Sequence, residues 1–388
     1  VTELSAPSFT SIEICAGAGG QAVGLHQAGF NHLALVEIDQ HAVETLRLNI
    51  EDHKLWAWER KYCDIIARDV KQFDPYHDLI KAAGLLAPGQ LDLLAGGVPC
   101  PPFSHAGKQL GKDDERDLFP RMLELVEILR PRAVMIENVR GIMDPKFNGY
   151  RRWIRARLEG DTYFDDDRQI IDEAGLGYTV CSWSILEASD FGVPQLRPRT
   201  ILVAFRNDVI EQVPYVSPTA THQRPVSVAE SLEESMYERF SRYFDGSRSD
   251  QARAAFIRWQ RKANERGGVA PTLVGGSKKH GGADLGPSRA KAAWRQLGVD
   301  PMGLANDIET CAAKRTEERD LFRPDGPMLT VQQAAIIQGF PPEWQFAGGK
   351  TAQYRQVGNA FPPPVARAVG GSIIKVLEAS RAGGRLAS

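Results

Sequence analysis

The sequence predicts an α/β protein: a doubly wound, mostly parallel sheet followed by a second, smaller domain. Three observations carry this. Apolar runs of strand length recur through the first half, at Phe9–Cys15, Leu33–Asp39, Leu91–Ala95, Arg132–Val139 and Thr200–Phe205. The first of them pass through glycine or acidic residues into helical patterns, the alternation that builds parallel sheets covered on both faces. Beyond residue 206 this alternation fades through a proline-containing passage at 214–225. A chain of 388 residues, 43% hydrophobic and 25% charged, has globular composition and length for two unequal domains. The expected division is 1–210, 211–345, and a C-terminal segment 346–388 that returns to the first domain.

Phe9 to Cys15 alternates like a strand and runs into Ala16-Gly-Ala-Gly-Gly20, after which Gln21 to Ala28 reads as a helix ended by Gly29. A glycine turn from strand to helix lets the backbone approach a ligand and aims helix N–H groups at it. Leu33 to Asp39 is the next strand. Its acids fall about 20 residues after the first glycine, where such sheets hold ribose hydroxyls, so Glu37 is the candidate. A helix over 40–50 and a short strand before Asp64-Ile65 follow. Glu37 and Asp64 in step with the turn point to a nucleoside cofactor. The spacing of Gly17, Gly19, Gly20 and Gly24 misses GxGxxG, which counts against a dinucleotide.

Leu91 to Ala95 reads as a buried strand stopped by Gly96, Gly97 and Pro99, and Cys100 follows at once. Open α/β sheets place ligands at that end of their strands. A thiolate there is a strong nucleophile, with a buried structural thiol as the plain alternative. The loop 102–116, with Gly107 and Gly111 as candidate hinges, is the candidate lid, with a plain solvated loop as the alternative. After an amphipathic helix over 117–130, strand 132–139 carries Glu137 to the same end of the sheet, where an acid is costly without a partner. A charged stretch over 150–175 reads as helical, and 178–187 as a strand. Arg197 and Arg199, just before strand 200–205, suit an oxygen-rich ligand through forked hydrogen bonds.

The five cysteines, at 15, 63, 100, 181 and 311, form no CxxC pair. That argues for a reducing cytoplasm and against a metal site or disulfide framework. No apolar run approaches the ~20 residues that span a bilayer. The net charge is −2, yet between Arg248 and Asp300 eleven Lys or Arg stand against four acids. Such asymmetry is a phosphate-binding footprint. Gly275 to Gly282 combines backbone freedom with Lys278, Lys279 and His280, a loop suited to a major groove, while Arg289, Lys291 and Arg295 share a short helix and suit backbone phosphates. Ala312 to Asp320 and Leu329 to Gly339 read as helical, as does 362–379, with a frayed end after it.

In order, the chain carries Glu13-Ile-Cys-Ala-Gly-Ala-Gly-Gly20, Glu37-Ile-Asp39, Asp64-Ile65, Pro99-Cys100, Glu137-Asn-Val139, Gln195-Leu-Arg-Pro-Arg199, Leu329-Thr330 with Gln338-Gly-Phe-Pro341, and Gln356-Val-Gly-Asn-Ala360. This set resembles the cytosine-5 DNA methyltransferase family over essentially the whole chain. The resemblance implies the Rossmann-like methyltransferase fold with a target-recognition domain, S-adenosylmethionine as methyl donor and no metal. It makes Cys100 the nucleophile, Glu137 the group that holds cytosine N3, and Arg197 and Arg199 supports for the base and the acid. Gly17, Gly19, Gly20 and Glu37 would line the methionine and ribose ends of the cofactor. Asp64 and Ile65 would hold the adenine, with Cys15, Pro99, Leu118, Asn359 and Ala360 completing the pocket. Ser104, Lys278, Lys279, His280, Arg289, Lys291 and Arg295 would face DNA. Glu13 stands where Asp is usual, Pro101 where Gln often follows the nucleophile, and Cys15 where an aromatic residue packs on adenine.

The implied partner is duplex DNA with a short target sequence, acted on by a monomer, with a cognate restriction endonuclease acting separately. The compact chain resembles the prokaryotic enzymes of restriction–modification systems. Three other readings stay open. A tRNA-methylating relative typically has Pro-Pro-Cys at the nucleophile, whereas here the prolines follow Cys100. An idle DNA-binding module would not need Cys100 with Glu137 and the arginines. An NAD-linked oxidoreductase would need the absent GxGxxG.

Overall fold

The computed structural model describes residues 9–51, 54–99, 117–165, 168–211, 213–266, 268–275 and 283–386. The strands among them are β1 (Phe9–Ile14), β2 (Phe30–Glu37), β3 (Asp64–Ala67), β4 (Leu93–Gly97), β5 (Ala133–Val139), β6 (Asp161–Phe164), β7 (Ile170–Glu173), β8 (Tyr178–Glu187) and β9 (Pro198–Arg206). In the first half the helices are α1 (Gly20–Ala28), α2 (Gln40–Ile50), α3 (Ala57–Tyr62), α4 (Phe119–Leu129), α5 (Asn148–Glu159) and α6 (Asn207–Ile210). In the second they are α7 (Val228–Ser241), α8 (Ser249–Arg266), α9 (Ser288–Gln296), α10 (Ile308–Lys314), α11 (Glu317–Asp320), α12 (Val331–Gln338), α13 (Lys350–Asn359) and α14 (Pro363–Leu386).

Seven strands form one sheet in the order β3-β2-β1-β4-β5-β9-β8. The first five are mutually parallel, and β9 runs antiparallel between β5 and β8. The chain winds outward from β1 to β3, then restarts at β4 on β1's other side. The carboxyl ends of β1 and β4 therefore flank the switch point, where open sheets leave a crevice.

Side-chain alternation along the strands buries both faces. Leu94 of β4 points to a cluster with Ile12, Met122 and Val126, under α4. Leu93 points the other way, to Met135, Val203, Val369 and Ile373, under α14. Helix α14 lies against α1 at a distance only glycine permits: a Cβ on Gly24 would stand 2.3 Å from the Pro363 carbonyl and 2.5 Å from Ala366 Cβ.

Two sequence expectations change here. The 150–175 stretch is not one helix. Helix α5 ends at Gly160, whose φ of 86° is left-handed, and the β-rich runs 161–164 and 170–173 then pair as an antiparallel hairpin. The C-terminal end is not frayed from 380, because α14 continues to Leu386. Arg381 anchors it by pairing with buried Asp92 at 2.9 Å and covering the Phe9 ring at 4.3 Å.

Helices α7 to α12 pack around Phe240, Trp259, Trp294 and Leu329. That core continues without a break through Ala335, Phe340 and Trp344 to Ala18 and Leu46 of the sheet domain. Helix α12 starts with a reciprocal cap, Thr330 accepting from Gln333 N–H while the Gln333 side chain accepts from Thr330 N–H. No helix among the described residues is long and apolar enough to cross a membrane.

Candidate active site

A cavity of about 370 Å³ opens at the carboxyl ends of β1, β2, β4 and β5. Its walls are the turn after β1 (Cys15, Gly17, Ala18), Glu37 and Asp39 after β2, Gly97 and Pro99 after β4, and Glu137 of β5. Arg355, Gln356, Asn359 and Ala360 close it from the C-terminal side. Residues some 340 positions apart thus meet at the switch point, because α14 returns to α1.

The turn after β1 is held open by unusual backbone. Cys15 has φ 53°, Gly17 54° and Gly19 86°. An L side chain in that region costs roughly 1–2 kcal/mol, so Cys15 stores strain at the rim of the cavity. Gly17 N–H donates to Glu37 Oε2 at 2.7 Å, while Glu37 Oε1 accepts from Ile38 and Asp39 N–H at 2.9 and 2.8 Å. Glu37 therefore fixes the turn to the end of β2, and Oε2 keeps acceptor capacity toward the cavity.

The three turn glycines divide by role. A Cβ on Gly17 would meet nothing within 4 Å, and Gly17 lines the cavity. Gly19 and Gly20 do not line it. A Cβ on Gly19 would collide with Trp344 at 2.7 Å and one on Gly20 with the Phe361 carbonyl at 2.3 Å. Trp344 also donates from Nε1 to the Ala18 carbonyl at 3.0 Å. These two glycines are there for close packing.

A second chamber of about 220 Å³ shares Cys15, Glu37 and Pro99 with the first and adds Ile38, Asp69, Val70 and Leu118. Asp64 and Ile65, expected to hold the adenine, are not in either chamber. Asp64 is the first residue of β3, paired with Ala34 three residues back from the cavity end of β2, and its carboxylate accepts from Lys81 N–H at 2.9 Å and Ala82 N–H at 3.3 Å. The carboxyl end of β3 is Ala67, paired with Glu37, so Asp69 and Val70 are the residues that emerge at the cavity. A signal for them exists in the sequence: Asp69-Val70 is also an acid–apolar pair, five residues later, and only the strand's register distinguishes the two.

Glu137 sits beside Arg199, whose Nε is 2.9 Å from Oε1. Oε2 occupies space that a Cβ on Gly97 would crowd at 3.1 Å, so that glycine makes room for the acid. Burial lifts the Glu137 carboxyl above its ordinary range, against the opposing pull of Arg199 and Arg197. Deeper in the cavity, burial lifts Glu13 well above that range, and its Oε2 lacks a partner among the described residues. Burial raises the Cys15 thiol too, reinforced by Glu37 and Glu13, so it is no thiolate at neutral pH.

Arg197 does not reach the cavity. It is 1% exposed, and its guanidinium donates to the carbonyls of Leu273 (2.7 Å), Gly358 (2.8 Å) and Ala360 (2.9 Å). A spacing of two suggests that Arg197 and Arg199 share one face of a strand. Strand β9 begins only at Pro198, so Arg197 stands before the pleat and that alternation does not govern its side chain. Gln21 and Arg355 line the cavity as well, but carry no local signature in the sequence, whereas Gln356, also in the wall, opens the motif that ends in Asn359 and Ala360.

Of the DNA-facing candidates, Ser104 and the basic trio Lys278, Lys279 and His280 lie outside the described residues, as do Cys100 and the loop 102–116. On α9, Lys291 pairs with Asp284 at 2.6 Å and Arg295 with Asp325 at 2.7 Å, so both charges are already answered within the chain. Arg289 is exposed and has no ion pair among the described residues. Among the described residues no group of three His, Cys, Asp or Glu is placed to hold a metal ion.

A family model described as C-5 cytosine-specific DNA methylase matches residues 9–375. The chain belongs to that family. The methylase is 44% identical over 364 residues to the Type II methyltransferase M.NaeI of Lentzea aerocolonigenes, covering 94% of this chain and 74% of that one. It is 42% identical over 373 residues to M.NgoMIV of Neisseria gonorrhoeae, covering 95% and 98%. A DNMT2 structure from Spodoptera frugiperda superposes with a TM-score of 0.55 over 96% of this chain and 100% of that one. At 16% identity, that likeness speaks for the fold alone.

Proposed function

We propose that this methylase transfers a methyl group from S-adenosylmethionine to C5 of one cytosine in a short duplex target, through a covalent Cys100–C6 adduct. It would act as the protective partner of a separate restriction endonuclease. The observation that carries the reading is the Glu137–Arg199 pair at the mouth of a nucleoside-sized cavity whose wall includes Pro99, the residue before Cys100.

The cavity fits the cofactor. Glu37 with its remaining acceptor capacity suits ribose hydroxyls, Gly17 leaves open space beside it, and the aliphatic chamber of Ile38, Val70 and Leu118 with Asp69 at its rim suits a purine. When bound, S-adenosylmethionine supplies an electrophilic sulfonium methyl group. Asn359 and Ala360 would close the pocket.

Cytosine C5 is too weak a nucleophile to take that group directly. Addition of the Cys100 thiolate to C6 makes the ring enamine-like and nucleophilic at C5. Electron density moves to N3, where Glu137, whose carboxyl burial shifts toward the protonated form, donates a hydrogen bond or proton as charge develops. Arg199 keeps the carboxyl aimed at that position. Once C5 carries the methyl group, loss of its proton expels the thiolate and restores the ring. The target base has to leave the helical stack for this, at a cost of a few kcal/mol. Arg289 and the loop 275–282 supply phosphate and base contacts in the groove.

The test is methyl transfer from labelled S-adenosylmethionine to mixed-sequence duplex DNA and to tRNA in parallel, with Cys100→Ser as control and bisulfite sequencing of the product. Label at cytosine C5 within one short DNA motif, lost in the variant, supports the reading. Label confined to tRNA refutes the substrate.

A further inference from the structure

Arg197 is a charged group buried without a carboxylate of its own among the described residues, a costly arrangement that requires a structural return. Its three carbonyl acceptors come from two distant segments. Leu273 belongs to the stretch 270–275 at the entrance to the basic loop, and Gly358 and Ala360 belong to the turn that lines the cofactor cavity.

The residue two before it completes the tie. Gln195 accepts from Leu273 N–H at 2.8 Å and donates to the Ile337 carbonyl at 3.1 Å and to Gln338 Oε1 at 2.6 Å. Gln338 in turn donates to the Ala360 carbonyl. The backbone joins in: Ala270 N–H donates to Pro194 O, and Leu196 N–H to Ala270 O, both at 2.8 Å. Ala270 therefore bridges in parallel to Gln195, and the Gln195 side chain extends the tie to Leu273. At its end the stretch 270–275 touches the cofactor turn directly. A Cβ on Gly275 would stand 2.3 Å from Asn359 Oδ1, and one on Gly358 would stand 2.5 Å from Gly275 N.

We infer that Gln195 and Arg197 are positioning residues that lock the entry to the DNA-reading region onto the cofactor turn, so that DNA binding and cofactor binding are energetically coupled through them. The inference rests on the proposed function. Neither residue touches base or cofactor. Each acts through the segments it holds, and the coupling must be reciprocal: DNA changes cofactor affinity by the factor with which cofactor changes DNA affinity.

The experiment measures binding of S-adenosylhomocysteine by calorimetry, to the full chain alone and saturated with a short duplex carrying the site located by bisulfite sequencing. The wild-type affinity is expected to differ between the two states by about fivefold or more. In Arg197→Met, which keeps an extended side chain without its donors, the ratio is expected to fall to near one, and Arg197→Lys recovers part of it. Gly275→Ala perturbs the same contact from the other side and is expected to reduce the ratio likewise; it decides the question if Arg197→Met does not fold. A residue that served stability alone would lower the melting temperature and leave the ratio as it is. A wild-type ratio of one, or an undiminished ratio in the folded variants, overturns the inference while leaving the proposed function standing. Failure of the wild-type chain to bind S-adenosylhomocysteine at all would overturn both.

Discussion

Gly17→Ala and Gly19→Ala are two chemically identical changes, two residues apart, for which the geometry expects opposite readouts. Both sites have left-handed φ, 54° and 86°, so each new side chain costs roughly 1–2 kcal/mol of backbone strain. At Gly17 nothing else is added, since no atom lies within 4 Å of the new methyl. At Gly19 the methyl meets Trp344 Cζ2 at 2.7 Å and Leu46 Cδ2 at 2.9 Å. Overpacking of that kind adds roughly 1–3 kcal/mol. The totals are about 1–2 kcal/mol for Gly17→Ala and about 2–5 kcal/mol for Gly19→Ala. Because Gly17 lines the cavity, its methyl is expected to weaken S-adenosylhomocysteine binding by about tenfold, the equivalent of about 1.4 kcal/mol. Urea unfolding gives the first quantity and calorimetry the second. Equal stability losses, or cofactor binding unharmed in Gly17→Ala, would refute the division between a cavity glycine and a packing glycine.

Three more outcomes are expected. Glu137→Gln should slow methyl transfer about 10²–10⁴-fold, since the amide donates a hydrogen bond but no proton. The wild-type rate should fall as pH rises through the lifted Glu137 value, because the acid form is the active one, and a variant with the same falling limb would exclude Glu137 as its source. Asp69→Asn should weaken cofactor binding with little loss of stability, while Asp64→Asn, which disturbs the acceptor for Lys81 and Ala82 N–H, should do the reverse; calorimetry and urea unfolding separate the two. Burial pulls the His32 imidazole from 6.5 down to about 4, with Nε2–H donating to the Ala22 carbonyl and Nδ1 accepting from Ser11. The unfolded chain then binds the extra proton first, so this group's share of stability is full above about pH 6.5 and declines by about 2 kcal/mol between pH 7 and 5. An NMR titration, assigned through His32→Asn, should show no titration near 6.5.

The fold class is legible because strand-length apolar runs ending in glycine or acid have few other interpretations, whereas the strand order, with β9 antiparallel between β5 and β8, is not written in them. The 150–175 hairpin is not legible either, since its short strands alternate with charged residues that also suit a helix face. At the site, Glu37, Glu137, Pro99 and Asn359 are legible through motifs that end strands or helices. The sequence offers Asp64 where the structure brings Asp69 to the cavity, because one strand of four residues separates them, and sequence patterns do not mark which end of a short strand opens on it. Arg197 misleads for a related reason. Its spacing to Arg199 mimics two neighbours on one strand face, while the strand starts between them and the carbonyls it serves sit 76 and more positions away.

The central claim is the covalent route through Cys100. Its most direct measurement uses a duplex in which 5-fluorocytosine replaces the target cytosine, incubated with S-adenosylmethionine and run on a denaturing gel. Fluorine at C5 cannot leave as a proton does, so the adduct should be trapped as a protein–DNA species, present with the wild-type chain and absent with Cys100→Ser. Methyl transfer by Cys100→Ser at the wild-type rate, or no trapped species from an active wild-type chain, would contradict the account.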